Sequence, residues 1–278
     1  MEKPDLSSRS ALLSFIRRHD LAAHKGLGQH WLVSQKVVRL IVSACLPAGG
    51  ILEIGPGPGT LTQPLSDAAP TVALEVDERA RAALAESAPL ARFLLADVLK
   101  TDLGGILGAL ERPRVVVSNL PFNIGTAVLE RLWDTAEEFD RAVLMFQREV
   151  AQRLTAEPGD RRRGALTVLT RLRFDIAEVC KAPPGAFVPQ PKVSATVLRF
   201  DTRRDGPEVT ADLVRLIRSG FRQPRKTLLN NLLAAGPGER AEVEGQLSRS
   251  GLDSRRRPHA LSEEEWLRLA SERRNPTS

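Results

Sequence analysis

What most constrains this chain is an alternation. Short apolar runs rich in branched residues recur between stretches of helical period: "GILEIG" (50–55), "TVALEVD" (71–77), "ARFLLAD" (91–97), "RVVVSN" (114–119) and "RAVLMFQ" (141–147). Runs this apolar suit strands buried on both faces, an environment that a parallel sheet with helical crossovers supplies. Two later runs, "AEVCKA" (177–182) and "SATVLRF" (194–200), are separated by a short turn-rich stretch, which predicts antiparallel strands. Helices are expected at 10–19, where Leu12, Leu13, Phe15 and Ile16 share a face, at 34–45 and at 78–87. The fold class is therefore α/β, a doubly wound sheet with helices on both faces.

After Phe200 the pattern changes. "DTRRDGPEVT" is polar and turn-rich, and the segments beyond it read as helices. A boundary near 202 divides the chain into residues 1–202, the sheet domain, and 203–278, a small helical domain rich in arginine. The tail at 273–278 is expected to fray. Forty Lys and Arg stand against thirty-four Asp and Glu, a net charge of +6 that favours partners bearing phosphate or an acidic surface. Cys45 and Cys180 lie far apart without CxxC spacing, and the four histidines show no HExxH pattern. Neither a disulfide framework nor a metal site is expected. No apolar run reaches the length of a membrane span, and "MEKPDLSSRS" lacks the apolar core of a signal peptide, so a cytoplasmic location is expected.

Four strand ends carry chemistry. In "LEIGPGPGTLT", Gly55, Gly57 and Gly59 directly follow a strand. Glycine there permits a tight turn and close ligand approach. The G-x-G-x-G spacing, stiffened by two prolines, departs from the G-x-G-x-x-G of dinucleotide sites. It suits an adenosine-bearing ligand without phosphates; an ordinary glycine-rich turn is the plainer alternative. Glu75 closes the next strand, where an acid accepts from ribose hydroxyls in doubly wound sheets; a solvated strand-end carboxylate is the plainer alternative. Asp97 closes the third, placed to accept from an adenine amine, with Val76 and Val98 beside the ring.

The fourth strand delivers "NLPF". Asn119 offers an amide oxygen. Pro121 fixes its own φ and pushes Leu120 into an extended conformation, turning the Leu120 carbonyl outward. Two acceptors and the flat ring of Phe122 then meet at one spot, which fits the exocyclic amine of a base. Hydrogen bonds that pull the amine protons out of plane localise the nitrogen lone pair, so no general base is required. The alternative is an edge turn with a buried Phe.

Taken in order, "HKGLGQHWL", "LEIGPGPGTLT", "ALEVD", "ADVLK", "NLPFN", "MFQREVAQRL" and "FVPQPKVSATVLRF" resemble the small-subunit (16S) rRNA adenine N6-dimethyltransferases over nearly the whole chain. The resemblance implies a Rossmann-like fold that binds S-adenosylmethionine, releases S-adenosylhomocysteine and uses no metal. It implies a cofactor site of His30, Leu32, Gly55, Gly57, Gly59, Glu75, Val76, Asp97, Val98 and Asn119, and a catalytic set of Asn119, Leu120, Pro121 and Phe122. Relatives usually carry Asn at His30, Phe at Trp31 and Tyr at Phe122; Phe keeps the stacking face. Phe187 is a candidate for the other side of the base.

The implied partner is 16S rRNA in the immature small ribosomal subunit, met by a monomeric enzyme. Arg222, Arg225 and Lys226, in "FRQPRKTLLNNL", are the first candidates for RNA contact. "DRRRGAL" (Arg161, Arg162, Arg163) and "DSRRRPHAL" (Arg255, Arg256, Arg257) are further basic clusters, each equally readable as a solvated face. Two rivals remain: a large-subunit (23S) rRNA adenine methyltransferase of the resistance type, and a non-catalytic nucleic-acid-binding factor on the same fold.

Overall fold

The computed structural model describes residues 3–6, 8–21, 29–236 and 239–274. The start of the "HKGLGQHWL" segment, with His24, and the end of the tail lie outside these. The chain runs α1 (Arg9–Arg18), β1 (Trp31–Leu32), α2 (Gln35–Cys45), β2 (Gly50–Ile54), α3 (Thr62–Ala68), β3 (Thr71–Glu75), α4 (Ala80–Ser87), β4 (Arg92–Leu95), α5 (Leu103–Gly108), β5 (Arg114–Ser118), α6 (Gly125–Asp134), β6 (Arg141–Gln147), α7 (Arg148–Leu154), α8 (Ala165–Arg171), β7 (Phe174–Ala182), β8 (Phe187–Val188), β9 (Ala195–Thr202), α9 (Ala211–Gly220), α10 (Leu228–Leu233), α11 (Arg240–Arg249) and α12 (Glu263–Arg274). Among the described residues no helix is long and apolar enough to cross a membrane.

Seven strands form one sheet in the order β4-β3-β2-β5-β6-β9-β7. The five strands from β4 to β6 pair in parallel, and β9 joins β6 antiparallel. The chain moves outward from β2 through β3 to β4, then returns to lay β5 on the other side of β2. That reversal opens a crevice at the carboxyl ends of β2 and β5, where open α/β sheets bind ligands. A separate two-stranded ladder pairs Trp31 with Val188 and Leu32 with Phe187.

The apolar runs explain the central strands. Every residue of β2 and β3 is buried. On one face Ile51, Val115, Val117, Val143 and Met145 pack in a cluster with Val38 and Ile41 of α2 and Leu65 of α3. By the two-residue period of a strand, Leu52, Val116 and Leu144 point the other way, and they too are buried. Edge strand β4 is only partly buried. Both cysteines are free.

The chain divides into two compact units, Met1–Ala151 with Asp175–Thr202, and Gln152–Phe174 with Arg203–Ser278. This differs from a single cut near 202. Residues 152–174 join the helical unit because α8 packs on α9 and the buried Arg163 guanidinium donates to Glu263 at 2.6 Å. Within that unit, Trp266 of α12 is fully buried and stacks on Phe221 at 5.6 Å between centroids.

Candidate active site

The crevice is built from the ends of three neighbouring strands. β2 runs into the glycine loop, whose three glycines hold φ of +71° (Gly55), +55° (Gly57) and +91° (Gly59), a region other residues rarely occupy. They serve different purposes. A Cβ at Gly59 would lie 2.3 Å from Ser87 Oγ, so Gly59 lets α4 pack against the loop. A Cβ at Gly55 would meet nothing within 4 Å, so the loop presents bare backbone to open space there.

Glu75, the last residue of β3, is almost wholly buried. Its carboxylate ties the crevice together: Oε2 accepts from Gly57 N at 3.2 Å, and Oε1 from Val76 N at 2.9 Å and Asp77 N at 3.1 Å. Burial pushes this carboxyl above the usual range, and the three N–H donors oppose that in part. Val76 beside it is 55 % exposed, an apolar surface next to an acid that a flat ring could cover.

β5 ends at Ser118, whose hydroxyl donates to the Ile54 carbonyl at 2.6 Å and so locks β5 to the start of the glycine loop. The next residue, Asn119, is half-buried, and its Nδ2 donates to the His30 carbonyl at 2.7 Å. A carbonyl only accepts, so this bond fixes the amide: Nδ2 is committed and Oδ1 is the end left to accept. The His30 ring is held in turn, with Nδ1 2.8 Å from the Pro189 carbonyl and its centroid 5.5 Å from that of Phe122.

Among the expected residues, His30, Gly55, Gly57, Glu75, Val76, Asn119 and Pro121 line this one cleft. Phe122 reaches it through its contact with His30 and otherwise packs on the sheet core. Asp97 follows β4; its Oδ1 accepts from Leu99 N at 2.9 Å and its Oδ2 stands 3.7 Å from Lys100. Leu32, Val98 and Leu120 keep their side chains buried. Phe187, expected on the other side of the base, has its ring fully buried in the cluster with Leu32, opposite which it pairs, and is not among the residues that line this cleft. Gln29, Trp31, Asn123 and Ile124 also line the cleft, and Gln29 hydrogen-bonds to Asp77. Adjacency to "HWL" and "NLPF" is the signal that points to them. A roomier cavity of about 1110 Å³, between residues 3–6, α2 and α3, is lined by none of the expected site residues. Among the described residues no cluster of three or more His, Cys, Asp or Glu could hold a metal ion.

The three basic clusters differ in how many of their cations are paired. In the first, Arg162 forks onto Asp160 and Arg163 is buried on Glu263. In the third, Arg255 pairs with Asp253 and Arg256 forks onto Glu265. Arg222, Arg225 and Lys226 are exposed and make no ion pair among the described residues, and the same holds for Arg161 and Arg257 of the other two clusters; the Arg222 guanidinium donates to the Ala234 carbonyl.

An open sheet reversing at β2 and β5, a glycine loop at the reversal and an acid on the next strand define a Rossmann-like fold with a nucleoside site at the reversal. The model of the ribosomal RNA adenine dimethylase family matches residues 21–274. A ribosomal RNA small subunit methyltransferase A from Chelativorans sp. (strain BNC1) is 38% identical over 94% of this chain and 97% of its own. Among solved structures, a dimethyladenosine transferase from Plasmodium falciparum shares the fold, with a TM-score of 0.75 at 23% identity over 89% of this chain and 98% of that one. The 23S rRNA methyltransferase ErmE superposes with a TM-score of 0.67 at 26% identity, over 87% and 98%. The chain belongs to the ribosomal RNA adenine dimethylase family, enzymes that methylate rRNA adenines with S-adenosylmethionine.

Proposed function

We propose that the protein dimethylates N6 of two adjacent adenosines near the 3′ end of 16S rRNA, within the immature small ribosomal subunit, as a cytoplasmic monomer. The observation that carries this is the Asn119 amide, fixed at the end of β5 in the same cleft as Gly55 and Glu75.

The cleft fits S-adenosylmethionine, because Gly55 leaves open space at its bare backbone and Val76 exposes an apolar face beside Glu75. Gly55 and Gly57 would hold the methionine end, Glu75 the ribose, and Val76 with Asp97 the adenine. When bound, the cofactor supplies an electrophilic methyl group on a sulfonium. The chain's own work is orientation. Asn119 Oδ1 and the Leu120 carbonyl would accept the two N–H bonds of the target amine before the first transfer and the one that remains before the second, turning the nitrogen lone pair out of conjugation; each transfer exchanges the carbon–sulfur bond for a carbon–nitrogen bond and releases one amine proton to solvent. Phe122 gives the base a face to stack on. Such a base must leave its helix, which is cheapest in an unpaired loop. Residues 203–278 serve as the RNA-binding domain, with Arg222, Arg225 and Lys226 pairing with phosphates.

The small-subunit target is supported by curated relatives of that name at 33–39% identity over roughly nine-tenths of the chain. The test is transfer from labelled S-adenosylmethionine to unmethylated small and large subunits, with mass analysis of the adenosines. N6-dimethyladenosine in small-subunit RNA alone is expected. Label in large-subunit RNA would move the target to 23S rRNA.

A further inference from the structure

The loop that carries Arg222, Arg225 and Lys226 is fastened from beneath by a single buried amide. Residues 222–226 are all exposed, while Asn231, on α10, is 1 % exposed. Its Oδ1 accepts from Gln223 N at 2.7 Å; its Nδ2 donates to the carbonyls of Gln223 at 3.0 Å, Thr227 at 3.0 Å and Lys226 at 3.5 Å. Both ends of the loop are therefore held by one side chain. Lys226 N closes the loop on the Gln223 carbonyl at 2.9 Å, and Leu228 N donates to Arg256 O at 2.8 Å. Arg256 is itself locked on Glu265.

A buried amide with both its polar ends satisfied fixes a backbone shape, since leaving either end unpaired inside the fold is costly. Here the shape fixed is that of five exposed residues, three of them cations without a carboxylate partner among the described residues. Long cationic side chains on a mobile loop lose entropy when they grip a polyanion; a loop already ordered loses less. We infer that Asn231 is a positioning residue for RNA binding: it pre-forms the 222–226 loop so that Arg222, Arg225 and Lys226 meet consecutive phosphates of one RNA strand. This rests on the reading of that loop as an RNA contact.

The test uses the full chain in five forms: unaltered, Asn231→Asp, the triple variant Arg222→Ala/Arg225→Ala/Lys226→Ala, the triple variant with Asn231→Asp added, and Val243→Ala. Asn231→Asp keeps the acceptor for Gln223 N and turns an oxygen toward the carbonyls that Nδ2 serves. Val243, buried on α11, makes none of these bonds and serves as a destabilised control in the same unit. Affinity for unmethylated small subunits and for naked 16S rRNA is measured across a salt series, beside thermal stability and S-adenosylmethionine affinity. Asn231→Asp should weaken RNA binding about tenfold and lower the salt slope by about 2, with cofactor affinity unchanged. Val243→Ala should leave affinity and slope alone at equal loss of stability. Adding Asn231→Asp to the triple variant should cost nothing more. A triple variant that binds normally would overturn the loop's RNA contact. A weakened triple variant with a normal Asn231→Asp, or with Val243→Ala equally weakened, would overturn the positioning role alone. Losses on subunits but not on naked rRNA would overturn the phosphate assignment in favour of an acidic protein surface.

Discussion

The amide nitrogen of Asn119 lies 2.7 Å from the carbonyl oxygen of His30, a residue 89 positions earlier in the chain. The bond joins the end of β5 to the segment just before β1, and it decides which way the Asn119 amide faces. Because the partner is backbone, the identity of the His30 side chain matters little to it. His30→Asn should therefore keep methyl transfer within about threefold, whereas Asn119→Asp, which sets an anionic oxygen against that carbonyl, should lower it by about a hundredfold or more. Single-turnover transfer measures both. Equal losses would show that the imidazole, not the carbonyl, organises the site.

Gly55 and Gly59 are four residues apart in one loop and should fail differently. Gly59→Ala drives a Cβ into Ser87, whose hydroxyl donates to the Pro58 carbonyl, at a φ that disfavours Ala. A stability loss of about 1–3 kcal/mol in urea titration is expected. Gly55→Ala carries the backbone strain without the collision, but fills the space assigned to the cofactor. Calorimetry should find its S-adenosylmethionine affinity at least tenfold weaker. An unchanged affinity would remove Gly55 from the cofactor site.

Glu53 lies two residues before Gly55 on β2 and is 2 % exposed. Burial, opposed by the Thr62 hydroxyl and reinforced by the Glu75 charge, pushes its carboxyl up to about 8. An acid whose folded value exceeds its unfolded value, 4.5, contributes its full stability below 4.5 and loses it as pH rises through about 8. Each pH unit crossed costs about 1.4 kcal/mol at most. Glu53→Gln, uncharged throughout, should flatten the decline of urea midpoint between pH 5 and 8. A decline as steep as in the unaltered protein would place the titrating group elsewhere.

Arg163 is a charged residue acting as a core residue. Its side chain is fully buried, donating to the Ala156 carbonyl at 2.9 Å and to Glu263 at 2.6 Å. Arg163→Met keeps most of the volume but leaves the Glu263 carboxylate only the more distant Arg171, at 3.5 Å, and the Ala156 carbonyl without this donor, so a loss of about 1–3 kcal/mol is expected in chemical denaturation. RNA affinity at temperatures where the variant is folded should not change; a selective loss of RNA binding would restore Arg163 to the RNA surface.

Those residues also mark what a sequence can and cannot disclose. The strands were legible because burial on both faces demands unbroken apolar runs, and the cleft because its residues sit at strand ends beside glycine, proline and acid. Arginine carries no such mark. "DRRRGAL" looks like an RNA-facing run, yet Arg163 meets Glu263 one hundred residues later, a pairing no local pattern encodes. The same distance hid the membership of residues 152–174 in the helical unit. Phe187 looked like a pocket wall until its register opposite Leu32 placed it in the core. Asn231 was hidden for a related reason: in "TLLNNL" nothing distinguishes it from its exposed neighbour Asn230, and only the fold shows it turned inward.

Asn119→Ala separates transfer from binding when it is assayed for single-turnover methyl transfer to unmethylated small subunits and, separately, for S-adenosylmethionine affinity. Removing an acceptor aimed at the reacting amine should slow transfer by about 10² or more while cofactor affinity changes less than about tenfold. Transfer at the unaltered rate, with the cofactor bound as before, would contradict the claim that the end of β5 is where the methyl group moves.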